Sequence, residues 1–473
     1  MDIEHSIHPP MGPLYIAAPL VEENYDVKII DMRTDKSWKE DLKGELKKNP
    51  ICVGLSSMTG GQIFNGILVS NFTKENYDGP IVWGGVHPSL LPEQTIKSKL
   101  VDIVVRGEGE MTFLNLIKNL EKGKSLKEVK GISYKVKGKV FHNSEREVLD
   151  VNKLPEIPYK IIDIEKYLTA GFPNAKRHLP IYTSRGCPHR CAFCYNTVFN
   201  KKTWRAVRPE IVLERVSNLI NDFKIDSVTV NDDNFFVDSR RVEKICNSMK
   251  KEGIDIIWQS GCRLDYINRF SKSFLKMLTS SGLYRLQLGA ESGCQRILNL
   301  MKKDITVSQI IEANKKLRNV DVVPKYSFMA GFPTETRNEI YETVDLMVKL
   351  IGDNPKCQCN PISAYTPYPG TELYGLSIKD GFKPPQSLEK WGNFLLDWIN
   401  SNIWIDKYER KHLEDISYMT AFIDGKSAKE ILKKDNLIVN FGLEVYTEIA
   451  RLKCKSHFFY SPEIGLMKKI INR

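Results

Sequence analysis

The stretch Ser184-Arg-Gly-Cys-Pro-His-Arg-Cys-Ala-Phe-Cys-Tyr195 follows an apolar run of strand length, Pro180–Ser184. Its three cysteines, Cys187, Cys191 and Cys194, have the spacing Cys-x3-Cys-x2-Cys. Thiolates at this spacing can bind three of the four irons of a cubane cluster from a single loop. The fourth iron is then left without a protein ligand, so the pattern predicts a cluster that is open to a further chelating molecule.

A zinc loop is the alternative interpretation of the triplet, with His189 as the fourth ligand. Structural zinc sites favour two Cys-x2-Cys pairs some distance apart, and the chain has no second pair with that spacing. The spacing therefore favours an iron–sulfur cluster over zinc.

The other seven of the ten cysteines are dispersed, which is typical of a reducing compartment rather than of a disulfide-rich secreted domain. The N-terminus lacks the basic and apolar regions of a signal peptide. No window approaches the roughly 18 consecutive apolar residues that a membrane-spanning helix needs. These features predict a cytoplasmic protein with no membrane segment.

The formal net charge of +11 is compatible with nucleic-acid binding. However, the basic residues are interleaved with acids, as in Lys39-Glu-Asp-Leu-Lys-Gly-Glu-Leu-Lys-Lys. This pattern favours a solvated lysine-rich surface over a nucleic-acid groove.

Short apolar runs alternate with helical patterns over residues 1–150. The runs are Val27–Asp31, Ile51–Ser56, Pro80–Gly85 and Val101–Val105. Buried strands that alternate with helices predict an α/β domain with a doubly wound, Rossmann-like parallel sheet. Only eight mostly polar residues precede Pro9, so either the sheet is one strand short or an N-terminal segment is missing. Residues 132–141 predict a hairpin, and the proline-containing residues 151–178 a linker.

The alternation resumes over residues 179–385 with a longer repeat. The candidate strands are Pro180–Ser184, Ser227–Val230, Ile256–Ser260, Arg285–Gly289, Lys325–Met329 and Gln358–Ala364. Six βα units predict a partial (βα)6 barrel rather than the closed eight-unit barrel. Residues 386–473 show helical periodicity and predict a small C-terminal helical domain.

Polar residues follow several of the barrel strands. In Arg285-Leu-Gln-Leu-Gly-Ala-Glu, alternation places Gln287 and Glu291 on one face, which we expect to point into the barrel. Asp232 and Arg263 follow the second and third strands, where each is also compatible with a purely structural turn or capping role. For Glu291, a carboxylate at a helix N-terminus is the structural alternative.

The cysteine triplet, Asn231-Asp-Asp-Asn-Phe-Phe, Met329-Ala-Gly-Phe-Pro-Thr-Glu-Thr and Tyr365-Thr-Pro-Tyr-Pro-Gly-Thr together resemble the radical S-adenosylmethionine (SAM) superfamily. In that superfamily SAM chelates the open iron of a [4Fe–4S] cluster and is cleaved reductively to a 5′-deoxyadenosyl radical. The resemblance implies the following SAM-site residues: Phe193, Tyr195, Asp232, Arg263, Gln287, Glu291 and Gly331. It also implies a small-molecule substrate and an external electron donor such as a flavodoxin or ferredoxin.

The N-terminal domain resembles the cobalamin-binding domain of one branch of this superfamily. The matching stretches are Pro9-Pro-Met-Gly, Val53-Gly-Leu-Ser-Ser-Met-Thr-Gly, Val82-Trp-Gly-Gly-Val-His-Pro and Val105-Arg-Gly-Glu-Gly-Glu. The resemblance implies a corrin contact at the strand ends, with Ser57, Thr59, Gly84, Gly85 and Gly107. The Asp-x-His-x-x-Gly element that supplies a cobalt ligand elsewhere is absent, and we expect His87 to be structural.

The resemblance therefore predicts methylation of an unactivated carbon by a cobalamin-dependent enzyme. A cobalamin-independent elimination, cyclisation or rearrangement is the alternative. A tRNA-modifying methylthiotransferase would need three more cluster cysteines in the N-terminal domain, which contains only Cys52. Cys357 and Cys359 share a strand face, either inside the barrel as reactive thiols or in the core as small apolar residues.

Overall fold

The computed structural model describes residues 7–173, 175–392, 394, 407–432 and 437–460. Within these ranges, no helix combines the length and the apolar character that crossing a membrane requires.

The N-terminal part is a five-stranded sheet flanked by helices. The strands, in sheet order, are β1 (Val53–Ser56), β2 (Ile81–Gly84), β3 (Ile103–Val105), β4 (Ile132–Val136) and β5 (Lys139–His142). The first three are parallel, and β4 and β5 form the predicted antiparallel hairpin. The helices are α1 (Met11–Glu22), α2 (Trp38–Leu46), α3 (Gly61–Asn76), α4 (Val86–Leu90), α5 (Pro92–Lys97) and α6 (Glu110–Glu121). The Rossmann-like prediction is confirmed.

The strand predicted at Val27–Asp31 is wrong. These residues pair with no strand of the sheet. β1 is the edge strand, and it pairs only with β2. Val27 and Ile29 are instead partly buried against two separate apolar clusters. An apolar run buries its side chains with or without a neighbouring strand, but it becomes a strand only where another backbone pairs with it.

The central part is a half-open barrel of parallel strands. Its strands are β6 (His178–Ile181), β9 (Ser227–Val230), β10 (Ile257–Cys262), β11 (Leu283–Glu291), β12 (Val323–Ala330), β13 (Gln358–Cys359) and β14 (Ser363–Ala364); β7 (Ser184–Gly186) and β8 (Trp204–Ala206) form a separate antiparallel ribbon. The barrel order is β6-β9-β10-β11-β12-β13, with β14 also beside β12. The predicted partial barrel is confirmed.

Nine α-helices accompany these strands among the described residues. They are α7 (Asn196–Phe199), α8 (Pro209–Phe223), α9 (Ser239–Lys251), α10 (Leu264–Arg269), α11 (Lys272–Ser280), α12 (Gln295–Leu300), α13 (Val307–Arg318), α14 (Arg337–Asp353) and α15 (Glu372–Lys379). Helices α13 and α14 begin with complete capping boxes at Thr306 and Thr336, which satisfy backbone donors that the first turn leaves unpaired.

Two strand predictions need correction. The run Pro180–Ser184 does not form one strand, because β6 ends at Ile181 and Ser184 belongs to the β7–β8 ribbon. The run Gln358–Ala364 is split into β13 and β14, with Pro361 between them. Proline has no backbone N–H to donate, so it interrupts a ladder.

The C-terminal part contains α16 (Leu388–Gly392), α17 (Lys407–Thr420), α18 (Lys426–Leu432) and α19 (Leu437–Lys455). It packs on both preceding parts. Trp391 is buried in the same apolar cluster as Trp83 of β2, whereas Ile416 and Met419 join the core of the barrel. The domain boundaries near residues 150, 178 and 385 stay predictions. Residues 393, 395–406, 433–436 and 461–473 of the predicted helical domain lie outside the described residues.

Candidate cluster and cofactor site

The cysteine loop begins where ribbon strand β7 ends. Gly186 has φ 81°, and a Cβ there would lie 2.0 Å from the carbonyl oxygen of Thr203, so the ribbon requires glycine at this position. Cys191 is buried, whereas Cys187 and Cys194 are half-buried. Burial raises the pKa of the Cys194 thiol to about 12, so a positively charged metal centre is needed to keep it as a thiolate.

Two neighbouring side chains donate to the sulfur atoms. Asn234 Nδ2 lies 3.5 Å from Cys187 Sγ, and Arg263 Nη1 lies 3.7 Å from Cys191 Sγ. Donors of this kind stabilise thiolate charge and tune a bound metal centre.

Two aspartates after β9 hold the loop in position. Asp232 accepts hydrogen bonds from Thr183 N (2.6 Å), Thr183 Oγ1 (2.7 Å) and Ser184 Oγ (2.6 Å). Asp233 accepts from Gly186 N (2.7 Å) and Asn196 Nδ2 (2.6 Å). Both oxygens of Asp232 are thus bonded within the chain, which makes it a positioning residue for the loop. Its contact with SAM or substrate stays a prediction.

A buried ion pair lies beside the loop. Lys303 Nζ donates to Glu291 Oε1 at 2.6 Å, and a Cβ on Gly289 would lie 2.3 Å from the same oxygen. Burial lowers the pKa of the Lys303 ammonium, but the negative charges of Glu291 and Cys191 together outweigh burial and hold that pKa above its ordinary value. Arg263 Nη2 donates to the carbonyl oxygen of Lys303 at 2.7 Å. These contacts bring two of the predicted residues, Arg263 and Glu291, to one side of the loop.

An aromatic cluster borders the loop on another side. Phe193 packs against a buried cluster that includes Phe332 and Tyr365, whose rings stack at 4.8 Å. The ring of Tyr195 lies 5.8 Å from that of Tyr368. Gly331, at the end of β12, has φ 84° and donates its N–H to Glu335. Phe193 and Gly331 therefore adjoin one aromatic cluster, as a site for a flat ring requires.

Gln287 lies elsewhere, on the open face of β11. Its side chain is exposed, whereas Leu286 and Leu288 are fully buried, which agrees with the predicted alternation. Below it, Glu430 of α18 accepts hydrogen bonds from Arg285 and from Lys325 Nζ (2.9 Å). The C-terminal part thus closes the bottom of the barrel with a carboxylate.

The small and polar residues predicted for the N-terminal domain do meet at one edge of its sheet. Ser57 and Thr59 follow β1, Gly84 ends β2, Gly85 comes directly after β2, and Gly107 follows β3. Gly85 has φ 94°, and a Cβ there would lie 2.7 Å from the carbonyl oxygen of Ser57. By contrast, a Cβ on Gly107 would meet no atom within 4 Å.

His87 lies inside this edge and is fully buried. Its Nδ1 lies 3.0 Å from Thr59 Oγ1, and its ring packs edge-on against Trp391 at 5.3 Å. Burial lowers the pKa of His87 to about 4, so the imidazole is neutral. These contacts agree with the structural role that we expected for it.

Comparisons with known proteins match both halves of this arrangement. Residues 181–347 match the radical SAM superfamily model, and residues 5–117 match the B12 binding domain model. The chain is 34% identical over 374 residues to the uncharacterized methyltransferase PH0819 of Pyrococcus horikoshii, covering 78% of each chain. The chain belongs to the radical SAM superfamily, in the branch with an N-terminal B12-binding domain.

Two further similarities extend the comparison. An anaerobic magnesium-protoporphyrin IX monomethyl ester cyclase of Rubrivivax gelatinosus is 27% identical over 77% of this chain and 66% of its own length. The solved structure of the cobalamin-dependent SAM radical enzyme OxsB, with aqua-cobalamin and SAM bound, superposes with a TM-score of 0.71. It covers 96% of this chain and 70% of OxsB at 20% identity, which shows a shared fold.

The radical SAM domain implies a [4Fe–4S] cluster and SAM, and the chain's own residues fit them. In a cubane each thiolate binds a different iron, whereas a zinc ion gathers its ligands at about 2.3 Å from one point. The side-chain donors at the sulfur atoms, Asn234 Nδ2 at Cys187 and Arg263 Nη1 at Cys191, suit thiolates that bind such a cluster. His189 Nε2 is bonded to the hydroxyl of Tyr266 at 2.7 Å, so the zinc interpretation gains no support.

The B12-binding domain likewise supports cobalamin. The Oγ of Ser57 and the Nε2 of His87 are buried without a hydrogen-bond partner, and the surface at Gly107 is open. Unsatisfied polar atoms beside a glycine surface suit a flat polar ligand that approaches the backbone. The residues at this edge thus fit a corrin.

Lys303, Asn234 and Glu430 were missed by the sequence reasoning. Lys303 follows another lysine in an unremarkable polar turn, and only its burial against Glu291 distinguishes it. Asn234 could have been found, because it belongs to the Asn231-Asp-Asp-Asn stretch already noted. For Glu430 no local signal existed, since it reaches the barrel from a distant helix.

Cys357 and Cys359 lie in the apolar core rather than in the barrel interior. Cys359 is paired in register with the fully buried Tyr326, and neighbouring residues in register point to the same side of a sheet. Gln358, between the cysteines, pairs with Lys325 on the open side. The expectation of core cysteines is therefore the one that fits, and a role as reactive thiols facing the substrate is not supported.

Proposed function

We propose that this radical SAM enzyme methylates an unactivated carbon of a small molecule in a cobalamin-dependent reaction. The observation that carries the proposal is the direct contact between the two cofactor-binding regions. Glu108, in the turn after β3 of the B12-binding domain, bonds to Arg185, two residues before the first cluster cysteine, at 3.0 Å. The edge predicted to hold the corrin therefore faces the loop predicted to hold the cluster.

When bound, the cofactors would supply the difficult chemistry, which is reductive cleavage of SAM and transfer of a methyl group. The chain's residues hold these groups in place. Cys187, Cys191 and Cys194 are the cluster ligands in this proposal. Arg263, Glu291 and Phe193 lie beside the cysteine loop, and they would hold the charged and aromatic groups of SAM.

The substrate would occupy the open face of the barrel near Gln287. Polar residues of neighbouring strands share this face: Gln259 Nε2 donates to Thr229 Oγ1 at 2.8 Å, and Asn360 Nδ2 donates to Ser327 Oγ at 2.9 Å. A flavodoxin or ferredoxin would deliver the electron. The substrate in this proposal is a polar small molecule.

The test is an anaerobic incubation of the reconstituted protein with SAM, a reductant and added cobalamin. Both 5′-deoxyadenosine and S-adenosylhomocysteine should form, and the repurified protein should show corrin absorbance. The Cys191→Ala variant should form neither product. Cleavage to 5′-deoxyadenosine with no bound corrin and no S-adenosylhomocysteine would contradict methylation.

The similarity to a cyclase favours one alternative reaction class. A cobalamin-independent elimination, cyclisation or rearrangement would also begin with 5′-deoxyadenosine formation. The same incubation separates the two proposals, because this alternative predicts 5′-deoxyadenosine alone.

A further inference from the structure

The ribbon that begins the cluster loop carries two arginines directly opposite each other. Strands β7 and β8 pair Arg185 with Arg205 in antiparallel register. Like charges at directly opposite positions destabilise a two-stranded ribbon. Asp232 and Asp233 bond to Ser184 and Gly186 of β7, whereas the repulsion between the two guanidinium groups is offset by anions from another domain.

Two glutamates of the B12-binding domain supply the opposite charge. Glu108 Oε1 accepts from Arg185 Nη1 at 3.0 Å and from Arg205 Nη2 at 3.0 Å, while its Oε2 accepts from Arg205 Nη1 at 2.8 Å. Glu110 Oε1 accepts from Arg185 Nη2 at 2.5 Å. The four charges sum to zero, and Glu108 bridges both strands of the ribbon.

These two arginines and two glutamates are shielded from solvent. The exposed fractions of the side chains are 12% for Glu108, 6% for Glu110, 20% for Arg185 and 17% for Arg205. The Arg185 guanidinium also lies 4.8 Å from the ring centre of Tyr15 on α1. In such surroundings salt screens little, and removal of one partner leaves a buried charge unpaired.

The glutamates also belong to the corrin edge of the sheet. Gly107, with φ 71°, turns the chain after β3, and Glu108 follows it immediately. The Glu108 carboxylate accepts a further hydrogen bond from Leu149 N at 3.1 Å, which fixes its orientation from the B12-binding side. One residue therefore connects the turn beside the proposed corrin to the strand beside the cluster.

We propose that Glu108 and Glu110 are positioning residues that set the spacing between the B12-binding domain and the cluster loop. This inference rests on the proposed function. Methyl delivery needs both centres at a productive distance, whereas reductive cleavage of SAM needs only the cluster. Loss of the glutamates should therefore lower the formation of S-adenosylhomocysteine more than that of 5′-deoxyadenosine. It should also destabilise the β7–β8 ribbon.

The first test measures the ribbon directly, by hydrogen–deuterium exchange on the full chain before cofactors are added. In Glu108→Gln, amide exchange in residues 184–186 and 204–206 should rise by about tenfold or more. The matched control is Glu147→Gln, which removes a carboxylate of the same domain from an exposed ion pair with Lys130. Its exchange in the ribbon should equal that of the wild type. Equal exchange in Glu108→Gln would overturn the proposal.

The second test separates spacing from simple support of the cluster. In Glu108→Gln and Glu110→Gln, reconstituted iron content should stay at the wild-type level. The ratio of S-adenosylhomocysteine to 5′-deoxyadenosine should fall about tenfold, with 5′-deoxyadenosine formation within about twofold of wild type. A parallel loss of both products together with iron would show that the glutamates only support the loop, which contradicts the spacing role.

A conservative variant supplies the rescue. Glu110→Asp keeps the negative charge, and it should retain at least part of the product ratio that Glu110→Gln loses. Equal losses in the two variants would contradict an ionic clamp. If the wild-type protein binds no corrin, the proposed function is wrong. The hydrogen–deuterium exchange measurement still tests whether Glu108 stabilises the ribbon, because it needs no cofactor.

Discussion

Glu291 and Lys303 form an ion pair of 2.6 Å in which only 11% and 9% of the respective side chains are exposed. The pair lies beside the cluster loop, since Arg263 bonds both to the carbonyl oxygen of Lys303 and to Cys191 Sγ. Glu291 has φ 66°, so its backbone is held in a left-handed conformation at the end of β11. Strain of this kind persists where the surroundings enforce it, and it often accompanies binding sites.

Lys303→Met should lower the free energy of unfolding by about 3–5 kcal/mol, because it leaves the Glu291 carboxylate buried without its partner. Denaturant unfolding of the protein without cofactors measures this change. Lys302→Met is the matched control: the neighbouring lysine is partly exposed in its ion pair with Glu372, and its loss should cost less than about 1 kcal/mol. Equal losses in the two variants would show that burial does not distinguish the pairs.

Cys187→Ala, Cys191→Ala and Cys194→Ala should each abolish the stable binding of about four irons per chain after anaerobic reconstitution. Iron and sulfide analysis with the absorbance spectrum measures it. Cys246→Ala, which changes a buried cysteine on α9, should bind iron at the wild-type level. Full iron content in any of the three loop variants would remove that residue from the ligand set.

Arg263→Lys should lower the reduction potential of the cluster. The guanidinium donates to Cys191 Sγ, and loss of a donor to a ligand sulfur stabilises the oxidised cluster relative to the reduced one. A redox titration followed by electron paramagnetic resonance measures the potential. Arg269→Lys is the control, because Arg269 bonds to the same Asp265 but lies at the surface. A potential unchanged in Arg263→Lys would rule out this influence on the cluster.

Glu335 should make stability fall as the pH rises. Burial raises the pKa of this carboxyl from 4.5 to about 7, although the backbone N–H groups of Gly331 and Phe332 oppose the shift. Between these two values the folded state keeps a proton that the unfolded state has released. The free energy of unfolding therefore decreases with pH across that window, by up to about 1.4 kcal/mol per pH unit.

Glu335→Gln removes this contribution. Denaturant unfolding at pH 5 and pH 7.5 gives the pH dependence of the free energy of unfolding for the wild type and for Glu335→Gln. The buried histidines His87 and His178 contribute in the opposite direction, but equally in both proteins, so their contribution cancels in the comparison. Their pKa values are lowered to about 4, so they favour folding as the pH rises. An identical pH dependence in wild type and Glu335→Gln would show that Glu335 is ionised in the folded protein at pH 5.

Sequence patterns predicted the bounds of regular elements closely where residue propensities and the pattern of apolar residues favour the same structure. Strand β9 was predicted over Ser227–Val230 and has those bounds, since its run of β-branched residues favours a buried strand. Val27–Asp31 failed because strand formation depends on a partner that the local sequence does not reveal. The prediction of one strand over Gln358–Ala364 was wrong because Pro361 interrupts the ladder within that run.

Within the site, the residues that a motif supports could be predicted, and those that act through distant contacts could not. The cysteine triplet needs only local spacing to bind a cluster, so it was visible in the sequence. Asp232 was also visible, but its three bonds to Thr183 and Ser184 show a positioning role that a turn motif does not disclose.

The sequence by itself determined the parallel architecture and the family and predicted the three cluster ligands, because each depends on residue type and short-range periodicity. Tertiary structure alone decided which charges meet: Glu108 with Arg185, Glu291 with Lys303, and Glu430 with Arg285. The local sequence around a charged residue does not show whether its side chain is solvated or buried. Their partners are selected only when folding brings distant segments together and removes water from between them.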